Sequence, residues 1–174
     1  MRTTLKLLLV LLAALAMLSF AACSDDDDDN GDNGGTNPTV PDPWVGDWLS
    51  AGENVAPLLA GDPFNLDSVR VHLGEDQIVV LEQHTEGGSW TTLNGTYAVT
   101  ESQSGDVHSI EIIYPAFEQE GIIQVIEASP DTMLLEAVQV TPDIGAEPRT
   151  PETGFGSDPT LGTANIQTYV RVSQ

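Results

Sequence analysis

Basic residues are scarce in this sequence of 174 residues. The chain holds 5 Lys and Arg residues against 27 Asp and Glu residues, and beyond residue 22 it has three arginines and no lysine. The part after residue 22 therefore has a formal net charge of −24. Such a charge repels phosphate groups, and no basic patch is present to overcome the repulsion. We therefore predict no nucleic-acid partner.

Cysteine is equally scarce, because Cys23 is the only one in the chain. No intramolecular disulfide is possible, even in an oxidising compartment. Long apolar runs are also missing apart from Leu7–Leu18, which has 12 residues. A helix that crosses about 30 Å of hydrocarbon needs roughly 20 apolar residues. This run is consequently too short to favour a permanent transmembrane anchor.

What the N-terminus does contain is the order of residues typical of an export signal. Arg2 and Lys6 flank the start of the apolar run, and the small residues Ala21 and Ala22 follow its end. Positive charge, an apolar core and small residues in that order predict a signal peptide over residues 1–22.

The end of this signal resembles the lipobox of bacterial lipoproteins, in which a small pair precedes a modified cysteine. Here the sequence is Phe20-Ala21-Ala22-Cys23. The resemblance implies that Cys23 is multiply acylated, and two or more acyl chains are what stable membrane anchoring requires. The other interpretation is an ordinary secretory signal followed by an incidental cysteine. We predict the lipoprotein, held in a membrane by Cys23.

Residues 23–43 are predicted to be a disordered acidic tether. From Ser24 to Pro43 the chain has seven acidic residues and three prolines, with only Val40 to bury. Such a segment cannot offset its own ordering entropy. Fully extended, a segment of this length reaches about 65 Å, so it can hold a folded domain clear of a lipid surface.

The aspartate run Asp25–Asp29 has two functional interpretations besides solvation. A calcium loop that begins at Asp26 is disfavoured, because Asn37 stands where a bidentate Glu should close it. The run also resembles acidic tracts that, in some Gram-negative bacteria, direct lipoproteins to the outer face of the outer membrane. That resemblance implies a bacterial outer-membrane lipoprotein exposed at the cell surface, whereas simple solvation implies no location.

Residues 44–174 form one predicted domain made of strands. Short runs of Val, Ile, Thr and aromatic residues alternate with turns rich in Gly, Asp, Asn and Ser. In the clearest run, Val69, Val71 and Leu73 fall on one face of a strand, with a period of two. The predicted strands are residues 44–50, 66–73, 77–84, 90–100, 107–114, 121–128, 132–140 and 164–172.

Eight strands joined mostly by short turns predict an all-β fold, either an up-and-down antiparallel barrel or a strongly curved sheet. Closure favours the barrel, since it removes exposed strand edges. Two connections are longer. Residues 53–60 could form a helical turn or two over one end, and residues 141–162 contain four prolines and little that forms regular structure. A loop of that length is either a functional lid or disordered.

The first strand carries Gly46-Asp47-Trp48, which resembles the glycine-x-tryptophan signature of lipocalins and related calycins. In that family the tryptophan packs across the closed base of an eight-stranded barrel, and small apolar ligands enter the open mouth. Asn94-Gly95-Thr96-Tyr97 is similar to a mid-domain strand of short bacterial lipocalin-like lipoproteins. The resemblance implies a lipocalin-like barrel over residues 44–174 that binds a small hydrophobic ligand.

The three histidines do not predict a metal site. The hairpin near Glu75 pairs His84 with residue 66 or 67, which places it roughly 16 to 20 Å from His72 at about 3.3 Å per residue. Zinc ligands must converge within about 2.3 Å of one ion. His108 lies on a separate strand and could approach either one. We predict no metal and no cofactor, with each histidine facing outward.

Catalytic groups are also weakly indicated. Glu118 and Glu120 flank one residue and would share a strand face, a pairing that glycosidic cleavage can use. In a chain with 27 acidic residues, such a pair is expected by chance. The sequence has no glycine-x-serine-x-glycine elbow. We predict no catalytic residues and no enzyme.

The remaining aromatic residues are the candidate ligand contacts. Ligand pockets are mostly apolar with a few polar groups, so a hollow barrel would be lined by some of Trp90, Tyr97, Tyr114, Phe117 and Tyr169. The competing interpretation is that they fill a solid core. Two functions follow. One is a ligand-binding barrel with residues 141–162 gating its mouth, and the other is a structural lipoprotein with a filled core whose loops contact another envelope component.

Overall fold

Backbone pairing between the alternating segments joins eight strands into a closed antiparallel barrel. The computed structural model describes residues 40–172. Each strand pairs with the next along the chain, and the last returns to the first through the pairs Trp48–Arg171 and Leu49–Val170. The predicted up-and-down barrel is therefore confirmed. The strands are β1 (Gly46–Ala51), β2 (Leu66–Leu73), β3 (Ile78–Thr85), β4 (Thr91–Thr100), β5 (His108–Ile113), β6 (Glu118–Ile126), β7 (Thr132–Thr141) and β8 (Gln167–Arg171).

Two strand boundaries differ from the prediction by three residues. β6 begins at Glu118 rather than at Gly121, because the residues before Gly121 still pair with β7. β8 begins at Gln167, because Gly162–Asn165 forms a 3₁₀ turn. Between β1 and β2, a 3₁₀ turn over Gly52–Asn54 and the helix α1 (Pro57–Ala60) lie where helical turns were predicted.

The β2–β3 hairpin differs from the predicted register and also contains a β-bulge. His84 pairs with Ser68 rather than with residue 66 or 67, because the hairpin turns about residue 76 rather than residue 75, as the pair Leu73–Val79 shows. Asp67 is an extra residue beyond that pair and shifts only the partner of Thr85. The Asp67 carboxylate lies 2.7 Å from His84 Nδ1. The one-residue difference in the centre of the turn explains why the partner of His84 differs from the prediction.

The two ends of the barrel differ in how they are closed. We call the end that bears residues 74–77, 101–107 and 127–131 the base, and the end that bears residues 52–65, 86–90, 114–117 and 142–166 the mouth. Inward-facing apolar side chains fill the interior near the base, among them Trp48, Leu73 and Met133. The packed core of the domain therefore lies at the base end of the barrel.

Arg171 closes the base over Trp48. Its guanidinium carbon lies 4.1 Å from the centre of the Trp48 ring, while Nε donates to the Asp131 carboxylate at 2.9 Å and Nη1 donates to the Val45 carbonyl at 2.8 Å. Nη2 donates to the carbonyl of Pro43. The charge is thus satisfied by one carboxylate and two carbonyls, and a cation–π contact adds to them.

Backbone conformation and steric contact explain why the Gly46-Asp47-Trp48 motif begins with glycine. Gly46 has φ of 137°, a conformation that favours glycine, and a Cβ placed there would lie 2.6 Å from Arg171 Nη1. Trp48 Nε1 in turn donates to the Trp44 carbonyl at 2.8 Å. Gly46 therefore leaves room for the Arg171 side chain. Trp48 gives that side chain an aromatic ring to cover.

The long connection from β7 to β8 lies along the outer wall of the barrel. The backbone N–H of Gly156 donates to the Glu136 carboxylate at 2.8 Å, and Glu136 is outward-facing on β7 yet only 2% exposed. Its partner across the strands, Ile122, is completely buried, although it lies outside the cluster that fills the interior. Residues 148–150 also lie beside outward positions of β4, β5 and β6, so these parts of the segment pack on the wall and not over the mouth.

Several predicted features lie outside the described residues. These are the signal peptide, the lipobox with Cys23, the Asp25–Asp29 run and the predicted tether up to residue 39. Over residues 40–172, no helix is long and apolar enough to cross a membrane. The last residues of the predicted tether contact the base, since Pro43 accepts a hydrogen bond from Arg171.

Candidate functional site

A cavity of about 110 Å³ lies inside the barrel near the mouth. Inward-facing positions of six strands form its walls, and the short elements of the mouth loops supply Leu59 and Asn165. Among the described residues that line it, none carries a charge. The lining residues are Leu59, Val69, Val71, Leu81, Gln83, Ile112, Tyr114, Gln119, Leu135, Ala137, Asn165, Gln167 and Tyr169.

The mouth is covered by two short elements. Helix α1 contacts the 3₁₀ turn Gly162–Asn165, and the Asn165 side chain donates from Nδ2 to the carbonyl of Ala137 at 3.0 Å. Leu59 of α1 and Asn165 both line the cavity. A molecule that enters from this end must therefore displace or pass these elements.

Gln167 is the most constrained polar side chain in the lining. It is 4% exposed, and its Oε1 accepts a hydrogen bond from the backbone N–H of Ala56 at 2.7 Å. Its Nε2 atom has no hydrogen-bond partner among residues 40–172. Because Ala56 supplies a donor, the amide oxygen must face that residue, and Nε2 is left as a buried donor without a partner among the described residues.

Two tyrosines add aromatic surface and neutral hydroxyls to the cavity. Burial raises the pKa of Tyr114 and of Tyr169 well above the usual value, and the neighbouring Tyr114 contributes to the raised pKa of Tyr169. Both hydroxyls therefore stay protonated at physiological pH. The Phe117 ring packs on Tyr114 with 4.8 Å between ring centres.

The structure brings together only part of the predicted ligand-contact set. Tyr114 and Tyr169 line the cavity, and Phe117 supports Tyr114 from the side. Tyr97 lies towards the base, where its hydroxyl donates to the Gly74 carbonyl at 2.8 Å. Trp90, just before β4, lies on the outer surface, because it continues the alternation that turns Leu93 inward and residues of even number outward.

Trp90 instead belongs to a surface cluster. The guanidinium carbon of Arg70 lies 4.4 Å from the centre of its ring, and the His84 ring centre lies 5.0 Å away. His84 is hydrogen-bonded to Asp67, and this bond lowers the pKa of that carboxyl. The Arg70 guanidinium and the His84 imidazole already pack on the indole ring of Trp90, so we interpret the cluster as structural.

The glutamines of the cavity were not predicted from the sequence, although alternation places them there. Gln83 shares the inward face of β3 with Val79 and Leu81, and Gln119 and Gln167 occupy the corresponding faces of β6 and β8. These three glutamines were not predicted, because only aromatic residues were considered as ligand contacts. The signal that could have found them is a carboxamide at an inward position of a strand.

The histidines and the glutamate pair lie apart from the cavity. His72 is hydrogen-bonded to Asp47 at 2.8 Å, and His108 accepts the backbone N–H of Ser102 at 3.1 Å. In the part of the chain that the structure describes, no group of three metal-ligating side chains occurs. Glu118 and Glu120 flank Gln119, and neither lines the cavity.

Larger clefts open on the outer surface. One of about 290 Å³ lies beside Trp44 and Tyr97 at the base, with Asp42 and Glu75 on its rim. Its acidic rim is exposed, and among the described residues that line this and the other outer clefts none has a buried side-chain donor without a partner. We therefore take the interior cavity as the candidate site.

Fold and site together define a class, an eight-stranded antiparallel barrel with a small, covered and uncharged interior cavity. Comparison of the chain with family models, with curated proteins and with solved structures gives no match.

Proposed function

We propose that the chain is a lipid-anchored lipoprotein of the bacterial outer membrane whose lipocalin-like barrel binds a small hydrophobic ligand without catalysis. The observation that carries the proposal is the cavity between Tyr114, Tyr169 and the aliphatic walls. Ligand sites are typically mostly apolar with a few directed polar groups, and this lining has that composition. The packed base beneath it gives the site a rigid floor.

The arrangement at the base supports the lipocalin-like part of the proposal. Trp48 of the glycine-x-tryptophan motif packs across the end of the barrel that is filled, as the resemblance implies. Arg171, on the last strand, covers its ring. The first and last strands are thus joined at the base by side chains as well as by backbone pairing, which leaves the mouth as the end where a ligand enters.

Cavity size limits what the proposed ligand can be. An apolar protein cavity of about 150 Å³ admits a benzene molecule, and drug-sized ligands occupy about 300 Å³ or more. A cavity of about 110 Å³ therefore suits a compact molecule and does not hold a long acyl chain.

Mass spectrometry of the full chain tests ligand binding. The protein, purified from its source in mild detergent, is measured under native conditions and its denatured sample is extracted with solvent. A stoichiometric small molecule released on denaturation supports the binding barrel. A bare polypeptide mass, even after incubation with lipid extract, contradicts it.

The second candidate function is a structural or interaction lipoprotein with a filled core. The observation that favours it is the extent of packing, since the interior cluster already includes Tyr114 and Tyr169 together with most inward aliphatic residues. In that case the loops contact another envelope component. A bare mass in the experiment above is the result that this function predicts.

Lipid anchoring gives a separate prediction. Replacing Cys23 with serine removes the thiol that would be acylated, so the protein should move from the membrane fraction to the soluble fraction. Immunoblotting of the two fractions measures the change, and Ser24→Ala is the matched control that should stay in the membrane. Retention of Cys23→Ser in the membrane fraction would contradict the anchor.

A further inference from the structure

Building on the proposed function, we propose that the cavity selects a compact, uncharged molecule that carries a hydrogen-bond acceptor, and that Gln167 Nε2 is the donor that binds it. A carbonyl, ether or similar oxygen on a small ring or chain has this chemistry. The proposal names a specificity-determining residue and a ligand class. It requires that the cavity binds a ligand at all.

The position of the donor carries the argument. Nε2 of Gln167 is buried and has no partner among residues 40–172, and the side chain lines the cavity. A buried donor without a partner is costly, whereas a ligand acceptor would satisfy it. The site therefore lacks one hydrogen-bond acceptor, which a ligand can supply.

The side chain cannot turn to offer its oxygen instead. Rotating the carboxamide by 180° would set Nε2 against the N–H of Ala56, which is itself a donor, and would lose the 2.7 Å hydrogen bond. Asn165 is committed in a similar way, since its Nδ2 already donates to Ala137. Gln167 is thus held with its oxygen on Ala56 and with its Nε2 donor unpaired.

The rest of the lining restricts the ligand's charge. Among the described residues that line the cavity, none is charged, and the two tyrosine hydroxyls are neutral. Burying an ion without a partner costs far more than burying a neutral polar group. A neutral molecule with one acceptor and an otherwise apolar surface is what this lining favours.

The test uses three probes of nearly the same shape. Cyclopentanone carries an acceptor, methylenecyclopentane replaces the oxygen with a methylene group, and cyclopentylammonium carries a charge. Each is titrated calorimetrically into the full-length protein in mild detergent, with a titration into detergent alone subtracted. We expect the ketone to bind about tenfold more tightly than the hydrocarbon, which corresponds to one hydrogen bond in a buried site.

Two variants assign the preference to Gln167. Gln167→Met removes the donor and should abolish the tenfold difference, whereas Gln124→Met, the same change at a β6 residue outside the cavity, should preserve it. If Gln167→Met fails to fold, the side-chain amide signals of Gln167 in nitrogen-edited NMR of the wild type replace it. These signals should move on addition of the ketone and stay in place with the hydrocarbon.

The outcomes separate the two proposals. Equal affinity for ketone and hydrocarbon, or tighter binding of the ammonium ion, overturns the role of Gln167 and leaves the binding barrel standing. No binding of either neutral probe overturns both, because the cavity then takes no compact ligand. Loss of the preference in Gln124→Met as well as in Gln167→Met also overturns the assignment to Gln167.

Discussion

Arg171 shows how much of the base depends on one side chain. It covers Trp48, pairs with Asp131 and donates to two backbone carbonyls. We expect Arg171→Met to lower the free energy of unfolding by about 3 kcal/mol, since several charge-assisted bonds and buried acceptors lose their partner. Urea denaturation of the full chain measures this change.

The matched control is Arg70→Met. Arg70 also lies over an indole ring, that of Trp90, but its side chain is 54% exposed and its carboxylate partner is 4.0 Å away. Exposed ion pairs of this kind contribute little, so the control should change stability by less than about 1 kcal/mol. Equal effects of the two substitutions would show that Arg171 has no special role.

Asp131 makes the stability of the base depend on pH. The N–H of Ala128 and the guanidinium of Arg171 lower the pKa of this carboxyl below its ordinary value of 3.8. Because the pKa is lower in the folded state, the carboxylate stabilises the fold above about pH 4, and this contribution is lost as the pH falls through the folded-state pKa.

Asp131→Asn should therefore flatten the acid side of the stability profile. Asparagine keeps an acceptor for the Ala128 N–H but cannot ionise, so the variant should lose less stability than the wild type between about pH 4 and pH 2. Urea midpoints measured across this range give the comparison. Parallel profiles for the two proteins would exclude Asp131 as a source of the acid dependence.

At the scale of elements, alternation determined most of what could be predicted. β2 lies where its pattern of Val69, Val71 and Leu73 placed it, and the closed topology follows from eight such segments joined by turns. Alternation also decides which aromatic residues reach the cavity. Trp90 has the outward parity of β4, so a stricter count would have left it out of the candidate set.

Other features depend on contacts between distant residues, so no local pattern predicts them. The bulge at Asp67 adds a residue without changing the composition of β2. The partnerless donor of Gln167 depends on Ala56, which is far away in the sequence. The docking of the β7–β8 segment depends on Glu136, a charged residue whose burial an alternating strand does not signal.

The β7–β8 segment should detach from the wall when Glu136 is replaced. Glu136→Ala removes the acceptor of the Gly156 N–H and opens space beside Ile122, so residues 142–161 should be cleaved several-fold faster by a non-specific protease. The barrel itself should stay folded, because Glu136 faces away from its interior. Limited proteolysis followed by mass spectrometry maps the cuts.

Glu82→Ala is the control for this change. Glu82 also faces outward, on β3, but its side chain is 37% exposed and its ion-pair partner is Arg70 of β2. Its replacement should leave the cleavage rate of residues 142–161 unchanged. If Glu136→Ala is cut no faster than the control, the hydrogen bond from Gly156 does not hold the segment.

At the scale of the whole molecule, the acidic surface opposes the fold that it surrounds. Residues 40–172 carry 21 acidic residues against three arginines, a formal net charge of −18. Each of the arginines already lies beside a carboxylate. Most of the acidic residues therefore repel one another with no basic partner, and compaction brings them closer together.

Salt should consequently stabilise this protein at neutral pH. The screening length falls from about 30 Å at 0.01 M salt to about 10 Å at 0.1 M and about 3 Å at 1 M, so repulsion across the barrel surface is removed over that range. The urea midpoint should rise steeply with sodium chloride up to about 0.1 M and more slowly beyond it. Near pH 4, where many carboxylates are protonated, the same titration should be much flatter. A midpoint that is independent of salt at neutral pH would mean that the charges are spaced too widely on the barrel to oppose folding, and that the acidic composition affects solubility alone.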